Sequence, residues 1–318
     1  MIVSAGLWAA TLFILVGVIA LDLIIVERRK TPFTSRNALH WVIFYVGFAA
    51  AFAVFIAVQF GAAYAGQFVA GYLTEYSLSV DNLFVFMIIM SSFAVPAMLQ
   101  HRVLLVGIVI ALILRGMLIV LGAELIERFE ATFYVFGLFL LFTAWKVWAS
   151  EGSEPDPEGN ALVRWVGSHV PTSTQYNGSH FFTRVAGQRA LTPMALVMLA
   201  IGTTDLLFAI DSIPAVFGIT SETYLVFTVN AFALMGLRQL YFLLRGVLGR
   251  LRYLNRGLAV ILAFIGVKLI LDALNATTSL EVPSVPIWLS LLVIVVVLGA
   301  TAAISLYETR DEGEEGTD

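Results

Sequence analysis

Cysteine is absent from this chain and charge is scarce. Of the 318 residues, 22 are acidic and 18 are basic, so 13% carry a charge where soluble domains have about a quarter. Without cysteine the chain has no disulfides, no thiolate metal ligands and no cysteine nucleophile. Hydrophobic residues make up 60% of it, and its mean hydropathy is +0.92. This composition excludes a soluble enzyme, a nucleic-acid-binding protein and a disordered chain.

The first apolar segment, residues 1–26, lacks the basic start of a secretory signal. Its positive charges come after it, in the run Glu27-Arg28-Arg29-Lys30, whereas a signal peptide begins with its positive charges. The segment is also long enough to span a bilayer. We therefore expect a first transmembrane helix whose N-terminus lies outside.

Apolar runs of spanning length recur along the chain and predict nine transmembrane helices. The predicted spans are 5–26, 39–60, 66–92, 102–122, 131–149, 190–217, 223–244, 256–275 and 285–307. Loops on one side hold most of the arginines, such as Arg28 and Arg164, and those on the other side hold acids such as Glu124 and Glu222. Nine such spans predict an all-α polytopic membrane protein, and the expected location is the bacterial plasma (inner) membrane. Because basic loops stay cytoplasmic, we expect its N-terminus out and its C-terminus in.

Two segments fall outside the predicted spans. Residues 150–189 form a cytoplasmic loop, and its run Ser153-Glu-Pro-Asp-Pro-Glu-Gly159 is typical of a flexible linker. Residues 308–318 form a short acidic tail that we expect to be disordered. Residues 1–307 are accordingly predicted to be a single transmembrane domain.

Two acidic motifs indicate an internal repeat. The run Glu75-Tyr-Ser-Leu-Ser-Val-Asp81-Asn82 aligns with Asp205-Leu-Leu-Phe-Ala-Ile-Asp211-Ser212. Further on, Leu114-Arg115 matches Leu237-Arg238, and a run ending in Lys146 matches one ending in Lys268. Predicted helices 3–5 therefore look like a degenerate copy of helices 6–8. A unit of three spans enters the membrane from the opposite face when repeated, so we expect an inverted-topology repeat, as in many secondary transporters.

The four carboxylates of these motifs lie inside predicted spans: Glu75, Asp81, Asp205 and Asp211. An acid at the centre of a spanning helix costs about 2.5–3.5 kcal/mol, so four of them cost roughly 10 kcal/mol. Some partner must offset this cost. Three basic residues on neighbouring spans are expected to balance part of the charge: Arg115, Arg238 and Lys268. A bound cation is expected to balance the rest.

Every candidate ligand of such a cation is an oxygen atom. Besides the four acids, Asn82 and Ser212 follow the second acid of each motif. Oxygen-only sites suit Mn²⁺, Mg²⁺ or Ca²⁺ rather than copper or zinc. These residues therefore predict a metal site on a transport path. The alternative is a set of internal salt bridges that locks the helix bundle.

Catalytic signatures are missing from the sequence. It has no HExxH zinc motif, no P-loop and no glycine-rich dinucleotide turn, and its four histidines fall in loops or at span ends. We therefore expect no enzymatic activity, no prosthetic group and no ATP-driven pumping. An intramembrane aspartyl enzyme, which needs two close aspartates that share one proton, is the remaining catalytic alternative.

The two acidic motifs resemble the TerC family, integral membrane proteins named for tellurium resistance and related to the LysE transporter superfamily. Four shorter runs agree with it: Phe93-Ala-Val-Pro96, Gln100-His-Arg-Val103, Phe227-Thr-Val-Asn230 and Leu237-Arg-Gln-Leu-Tyr-Phe242. The resemblance covers residues 7–307. It implies a manganese exporter of the Alx type, with Glu75, Asp81, Asp205 and Asp211 as the acidic site.

The expected function is export of a divalent cation, Mn²⁺ in first place and Ca²⁺ as its competitor, in exchange for protons. The expected partners are the lipid bilayer, the cation and protons, with no nucleic acid. Because an acid-lined path repels the anion tellurite, tellurium resistance would follow indirectly from metal homeostasis. The alternative from another class is a membrane scaffold that transports nothing and recruits soluble stress-response, metal-loading or secretion-machinery partners.

The motif spacing also makes a geometric prediction. In a straight helix, residues six apart are separated by about 9 Å along the axis and 120° around it, so Glu75 and Asp81 cannot chelate one ion together. We expect the four carboxylates in one buried cluster about 10 Å across, near the bilayer midplane. Either two neighbouring half-sites result, or one helix unwinds and gathers the acids into one site. Gly202 and Pro214 flank the second motif, so in the second case helix 6 is the one expected to break.

Overall fold

A computed structural model of the chain describes residues 1–27, 35–129, 131–149, 161–173, 175–178, 180–185, 188–244, 253–278, 282–283 and 285–315. The helices in these ranges are α1 (Ala5–Glu27), α2 (Ser35–Phe60), α3 (Ala62–Ser92), α4 (Ala97–Arg128), α5 (Thr132–Ala149), α6 (Ala161–His169), α7 (Pro193–Phe217), α8 (Thr223–Met235), α9 (Leu237–Leu244), α10 (Leu254–Thr277) and α11 (Ile287–Glu315). The strands are β1 (Phe182–Val185) and β2 (Gln188–Leu191). The side chains of Asp81, Asp211 and Arg238 lie outside this description, although their backbones belong to α3, α7 and α9.

Within the described ranges, seven helical segments are long and apolar enough to cross a membrane: Ala38–Phe60, Met98–Arg128, Thr132–Ala149, Pro193–Phe217, Thr223–Leu243, Arg256–Asn275 and Ile287–Ser305. Such runs are helical because the bilayer core has no water to hydrogen-bond an open backbone. The chain is therefore an all-α polytopic membrane protein. α1 and α3 occupy the two other predicted spans, while the count of nine spans and the orientation stay predictions.

The predicted span 223–244 consists of two helices rather than one. α8 ends at Met235, and α9 begins after Gly236. The Gly236 N–H donates to Leu234 O, and helical bonding resumes where Leu240 N donates to Gly236 O (3.0 Å). The interruption lies in a segment whose residues are almost all buried, so other helices surround it rather than lipid.

α7, by contrast, is unbroken. It begins after Thr192, whose hydroxyl oxygen accepts a hydrogen bond from Ala195 N (3.4 Å), and Pro193 occupies the first turn. Pro214 lies inside the helix but in its last turn. There the missing N–H removes one hydrogen bond without ending the helix. The prediction of a break in this helix is wrong, and the break lies in the next span instead.

The segment predicted as a flexible linker, 150–189, contains folded structure and needs correction. After α6, strands β1 and β2 form an antiparallel hairpin in which Phe182 pairs with Leu191 and Arg184 with Arg189. The Tyr176 hydroxyl donates to Phe93 O at the end of α3 (2.8 Å), and burial raises the pKa of this hydroxyl. Strand pairing and this tether order a stretch whose polar composition predicts a linker; residues 150–160 lie outside the described ranges.

The last helix also differs from its prediction. α11 continues to Glu315, although the sequence predicts a disordered tail from residue 308. Its final turns contain several Glu residues and one Arg, which are good helix formers. Composition alone therefore placed the end of the helix too early.

Aromatic rings from three helices fill one part of the core. Phe52 of α2 lies 5.1 Å from Phe68 of α3 and 4.7 Å from Phe232 of α8, measured between ring centroids. Phe68 and Phe232 are buried. Large rings in such contacts add van der Waals attraction and preferred ring geometry to the packing of α2 against α3 and α8.

Helices 3–5 and 6–8 of the predicted repeat pack in matched pairs. α3 lies against α8, and α4 lies against α7. α5 packs along α10, its counterpart, and α3 and α4 also contact their own counterparts, α7 and α8. The acidic motif of α3, the arginine helix α4 and the acidic motif of α7 are thus held in one group of helices.

Two glycines set the distance between α5 and α10. A Cβ atom added at Gly137 would lie 2.7 Å from Ile270 Cγ1 and 2.9 Å from Gly266 O. A Cβ atom added at Gly266 would lie 2.9 Å from Gly137 O. Because a backbone oxygen cannot move aside as a side chain can, these positions require glycine for the helices to meet.

Gly137→Val should therefore push α5 and α10 apart. We expect it to lower the free energy of unfolding by about 1–3 kcal/mol, the usual cost of overpacking. The melting temperature of the purified protein in nanodiscs measures this loss. Gly47→Val is the matched control, because a Cβ at Gly47 meets nothing within 4 Å. Equal losses in both variants would contradict the packing explanation.

Candidate cation site around Arg115

Arg115 lies inside the long helix α4 and is 0% exposed. α4 runs 32 residues from Ala97 to Arg128, so Arg115 is more than three turns from either end. A guanidinium at such a position has no route to water and must find its partners within the protein. It is also charged at every physiological pH.

Two buried carboxylates pair with this guanidinium. Arg115 Nη1 donates to Glu75 Oε1 of α3. Arg115 Nε and Nη2 donate to the two oxygens of Asp205 on α7, each at 3.5 Å. The two acids occupy equivalent positions in the predicted repeat, so one arginine joins the first acid of each acidic motif.

Neutral oxygens complete the shell around Arg115. Nη1 lies 2.9 Å from Asn230 Oδ1 and 3.1 Å from Ser212 Oγ. When the Asn82 amide is oriented to satisfy both its oxygen and its nitrogen, it accepts from Arg115 Nη2 (3.3 Å) and donates to Leu78 O (3.0 Å). Asn82 and Ser212 are equivalent in the repeat, as predicted ligands of one site should be.

Asn230 is the residue that sequence reasoning missed. It lies on α8, is 1% exposed, and its Nδ2 donates to Val226 O (2.9 Å), which turns Oδ1 toward Arg115. The signal was present in the run Phe227-Thr-Val-Asn230, because a carboxamide within an apolar span needs a partner. The acidic motifs alone do not point to α8.

The shell leaves some oxygen capacity unused. Glu75 Oε2 and Ser79 Oγ are buried, and neither has a hydrogen-bond partner among the described residues. Ser79 lies one turn after Glu75 on α3. Buried polar atoms are seldom left unpaired, so these two oxygens retain a capacity to accept that the described residues do not use.

Two further glycines bring the helices close beside this site. A Cβ atom at Gly71 of α3 would lie 3.1 Å from Val229 of α8, and one at Gly107 of α4 would lie 3.0 Å from Ile201 of α7. Gly71 precedes Glu75 by one turn, and Ile201 precedes Asp205 by one turn. The close approach at Gly107 brings Arg115 of α4 near Asp205 of α7, and the one at Gly71 brings Glu75 of α3 near Asn230 of α8.

Three other predicted site residues are described only by their backbone. The side chains of Asp81, Asp211 and Arg238 lie outside the described part of the chain, so the cluster of four carboxylates stays a prediction. α3 and α7 are continuous helices, and in a straight helix residues six apart are separated by about 9 Å along the axis. Among the described side chains, no group of three His, Cys, Asp or Glu is arranged around a common centre.

Lys268 does not act as the predicted charge-balancing partner of the described site acids. Its Nζ donates to Gly218 O (2.5 Å), and it lies 3.8 Å from Asp272. Gly218 is the residue that follows the last turn of α7. A lysine at a helix C-terminus binds carbonyl groups that lack a helical partner. Lys268 of α10 therefore caps α7, and Arg115 is the described cation that pairs with Glu75 and Asp205.

Arg115→Gln should leave Glu75 and Asp205 as uncompensated buried charges. We expect the free energy of unfolding to fall by about 3–5 kcal/mol, the cost of breaking a buried ion pair from one side. Size-exclusion profiles and melting temperatures in detergent measure the loss. Arg128→Gln is the control, because Arg128 pairs with Glu124 on an exposed surface and should change stability by about 0.5 kcal/mol or less. An Arg115 variant as stable as the Arg128 variant would show that the pair carries little stability.

The chain is similar to known membrane proteins. The family model "Integral membrane protein TerC family" matches residues 60–313. "Uncharacterized membrane protein Rv2723" of Mycobacterium tuberculosis is 46% identical over 276 residues, 86% of this chain and 70% of that protein. "Putative membrane-bound redox modulator Alx" of Escherichia coli is 40% identical over 274 residues, 83% of this chain and 85% of that protein. No solved structure shows significant similarity. The chain belongs to the TerC family of integral membrane proteins.

Proposed function

We propose that this protein is a secondary transporter that exports a divalent cation, with Mn²⁺ as the favoured substrate, Ca²⁺ as its competitor and protons as the exchanged ion. The observation that carries the proposal is the buried site in which Glu75 and Asp205 come together from two helices. Buried acids in a membrane protein are costly and typically mark ion paths. Here they are surrounded by further oxygen ligands, Asn82 and Ser212.

The chemistry of the side chains supports a hard cation. The described groups around Arg115 offer carboxylate, amide and hydroxyl oxygens, and the chain has no cysteine to offer sulfur as thiolate. Oxygen ligands of this kind suit Mn²⁺, Mg²⁺ and Ca²⁺. The ion path would pass between α3 and α7, the helices that carry the acidic motifs.

The helix arrangement supports alternating access. The paired packing of α3 with α8 and of α4 with α7 is what an inverted repeat of helices 3–5 and 6–8 predicts. Asn230, which contacts Arg115, lies on α8 less than two turns before Gly236, where α8 gives way to α9.

Energy for export must come from an ion gradient. Moving a divalent cation out of a cell that is negative inside by about 100 mV costs roughly 4.6 kcal/mol. The sequence has no P-loop that would supply nucleotide energy. Exchange of one divalent cation for two protons is electroneutral and removes the electrical cost.

The name of the E. coli relative describes a putative redox modulator. This chain has no cysteine, so it cannot act on redox balance through thiol–disulfide chemistry of its own. A change in the cellular supply of manganese, which is itself redox-active, would connect the two descriptions. Tellurium and stress resistance would follow in the same indirect way from metal homeostasis.

A non-transporting scaffold is the second candidate function. The observation in its favour is the folded segment after α5, in which α6 and the β1–β2 hairpin expose Trp165 and Phe182. A folded element with exposed rings is suited to bind a soluble stress-response, metal-loading or secretion partner. Metal flux with the purified protein alone separates the two functions.

In proteoliposomes that contain only this protein, Mn²⁺ entry into the vesicles should accelerate when a pH gradient is imposed that drives protons out of them. The reason is that proton movement down its gradient drives the cation in exchange. A Mn²⁺-sensitive dye inside the vesicles measures the flux, with protein-free vesicles as the control. Mn²⁺ flux that ignores the pH gradient would exclude proton exchange, and the absence of Mn²⁺ and Ca²⁺ flux would favour the scaffold.

Asp81→Asn and Asp211→Asn should abolish manganese tolerance in cells while protein level changes little. Each substitution keeps the size of the side chain and removes the charge that a divalent cation needs. Growth in added Mn²⁺ and immunoblots of membranes measure the two effects. Glu124→Gln, at an exposed position near the end of α4, is the control for loss of an acid. Normal tolerance in both Asn variants would show that these acids do not bind the ion as charges.

A further inference from the structure

We infer that the Arg115 guanidinium is the built-in occupant of the cation site, and that the transported cation binds by displacing it. The inference rests on the proposed transport function and specifies how the site is filled between transport events. Arg115 thereby determines which cations bind to the transporter, in addition to neutralising the buried acids.

The contacts of Arg115 are the contacts that a cation would make. Its guanidinium touches Glu75, Asp205, Asn82 and Ser212, which are the four described members of the predicted ligand set. A salt bridge with a structural role alone would need a single carboxylate partner for Arg115. Here both copies of the repeat contribute an acid and a small polar side chain to the same guanidinium.

Displacement is required because two cations cannot share this place. A divalent cation bound to Glu75 and Asp205 would lie within a few ångströms of a guanidinium bound to the same oxygens. At that distance, and away from water, their repulsion is strong. The guanidinium must therefore withdraw from at least one of the two carboxylates before the cation takes its full set of ligands.

The exchange favours divalent over monovalent cations. Glu75 and Asp205 carry two negative charges, of which the guanidinium balances one. Na⁺ or K⁺ would replace one positive charge by another and would lose its hydration shell without a gain in attraction to the two acids. A divalent cation attracts each carboxylate twice as strongly as a monovalent one, so its binding can offset the loss of the Arg115 contacts.

Asn230 offers a way to loosen the guanidinium without touching an acid. Its Oδ1 accepts from Arg115 Nη1 (2.9 Å), and its Nδ2 is held by Val226 O. If Arg115 competes with the cation, Asn230→Ala removes one hydrogen bond from the competitor and should tighten cation binding. If Asn230 is itself a ligand of the cation, the same substitution should weaken binding.

Equilibrium binding of Mn²⁺ to the purified full chain in detergent tests the inference, with free Mn²⁺ measured by electron paramagnetic resonance. We expect Asn230→Ala to bind Mn²⁺ about tenfold more tightly than the wild type, because a hydrogen bond from a charged group is lost from the competing state. Arg115→Ala should bind Mn²⁺ more tightly still. Millimolar guanidinium chloride should displace Mn²⁺ from Arg115→Ala more effectively than the same concentration of tetramethylammonium chloride does. A large excess of Na⁺ should leave Mn²⁺ bound to the wild type.

The outcomes separate the displacement inference from the proposed transport function. If the wild type transports Mn²⁺ but Asn230→Ala binds it equally or more weakly, the displacement inference is overturned and the transport function stands. If neither the wild type nor Asn230→Ala binds Mn²⁺, both are overturned. Should Arg115→Ala not fold, Asn230→Ala still tests the inference, and Arg115→Lys takes the place of Arg115→Ala. Lysine keeps the charge but loses the fork of donors, so this variant too should bind Mn²⁺ more tightly than the wild type.

Discussion

A guanidinium buried in a membrane protein persists only where anionic and polar groups surround it, because the hydrocarbon offers it no hydration. In this protein Arg115 of α4 draws those groups from α3, α7 and α8. The relative positions of the four helices therefore depend on one ionic contact. Both sides of the contact are needed, since loss of either one leaves buried charge without compensation.

Backbone proximity makes this contact possible. Gly107 allows α4, which carries Arg115, to approach α7, which carries Asp205. Gly71 allows α3, which carries Glu75, to approach α8, which carries Asn230. In a bilayer, where apolar side chains gain little from contact with each other instead of lipid, small residues give helices their close packing. The charged centre and the glycine contacts beside it are thus two parts of one arrangement.

The same arrangement connects stability with the proposed transport. A site that is held together by a removable cation can lose its tie when another cation enters, and the surrounding helices can then take a second arrangement. The interruption between α8 and α9 at Gly236 lies in one of these four helices. α7 is held differently, since Lys268 caps its C-terminal end through Gly218 O.

The sequence by itself determined the membrane location, the helical class and the acidic motifs, because each of these follows from local composition or from a repeat that is visible in the chain. The tertiary structure decided the rest. It paired Arg115 with Glu75 and Asp205, added Asn230, and assigned Lys268 to the end of α7. It also placed the break at Gly236 instead of beside Pro214, and folded a hairpin where the composition indicates a linker. Partners that lie 40 to 115 residues apart leave no local pattern. Which carboxylate meets which base depends on how the helices pack. That packing depends on contacts such as those of Gly71 and Gly107, whose need for glycine appears only when the neighbouring helix is in place.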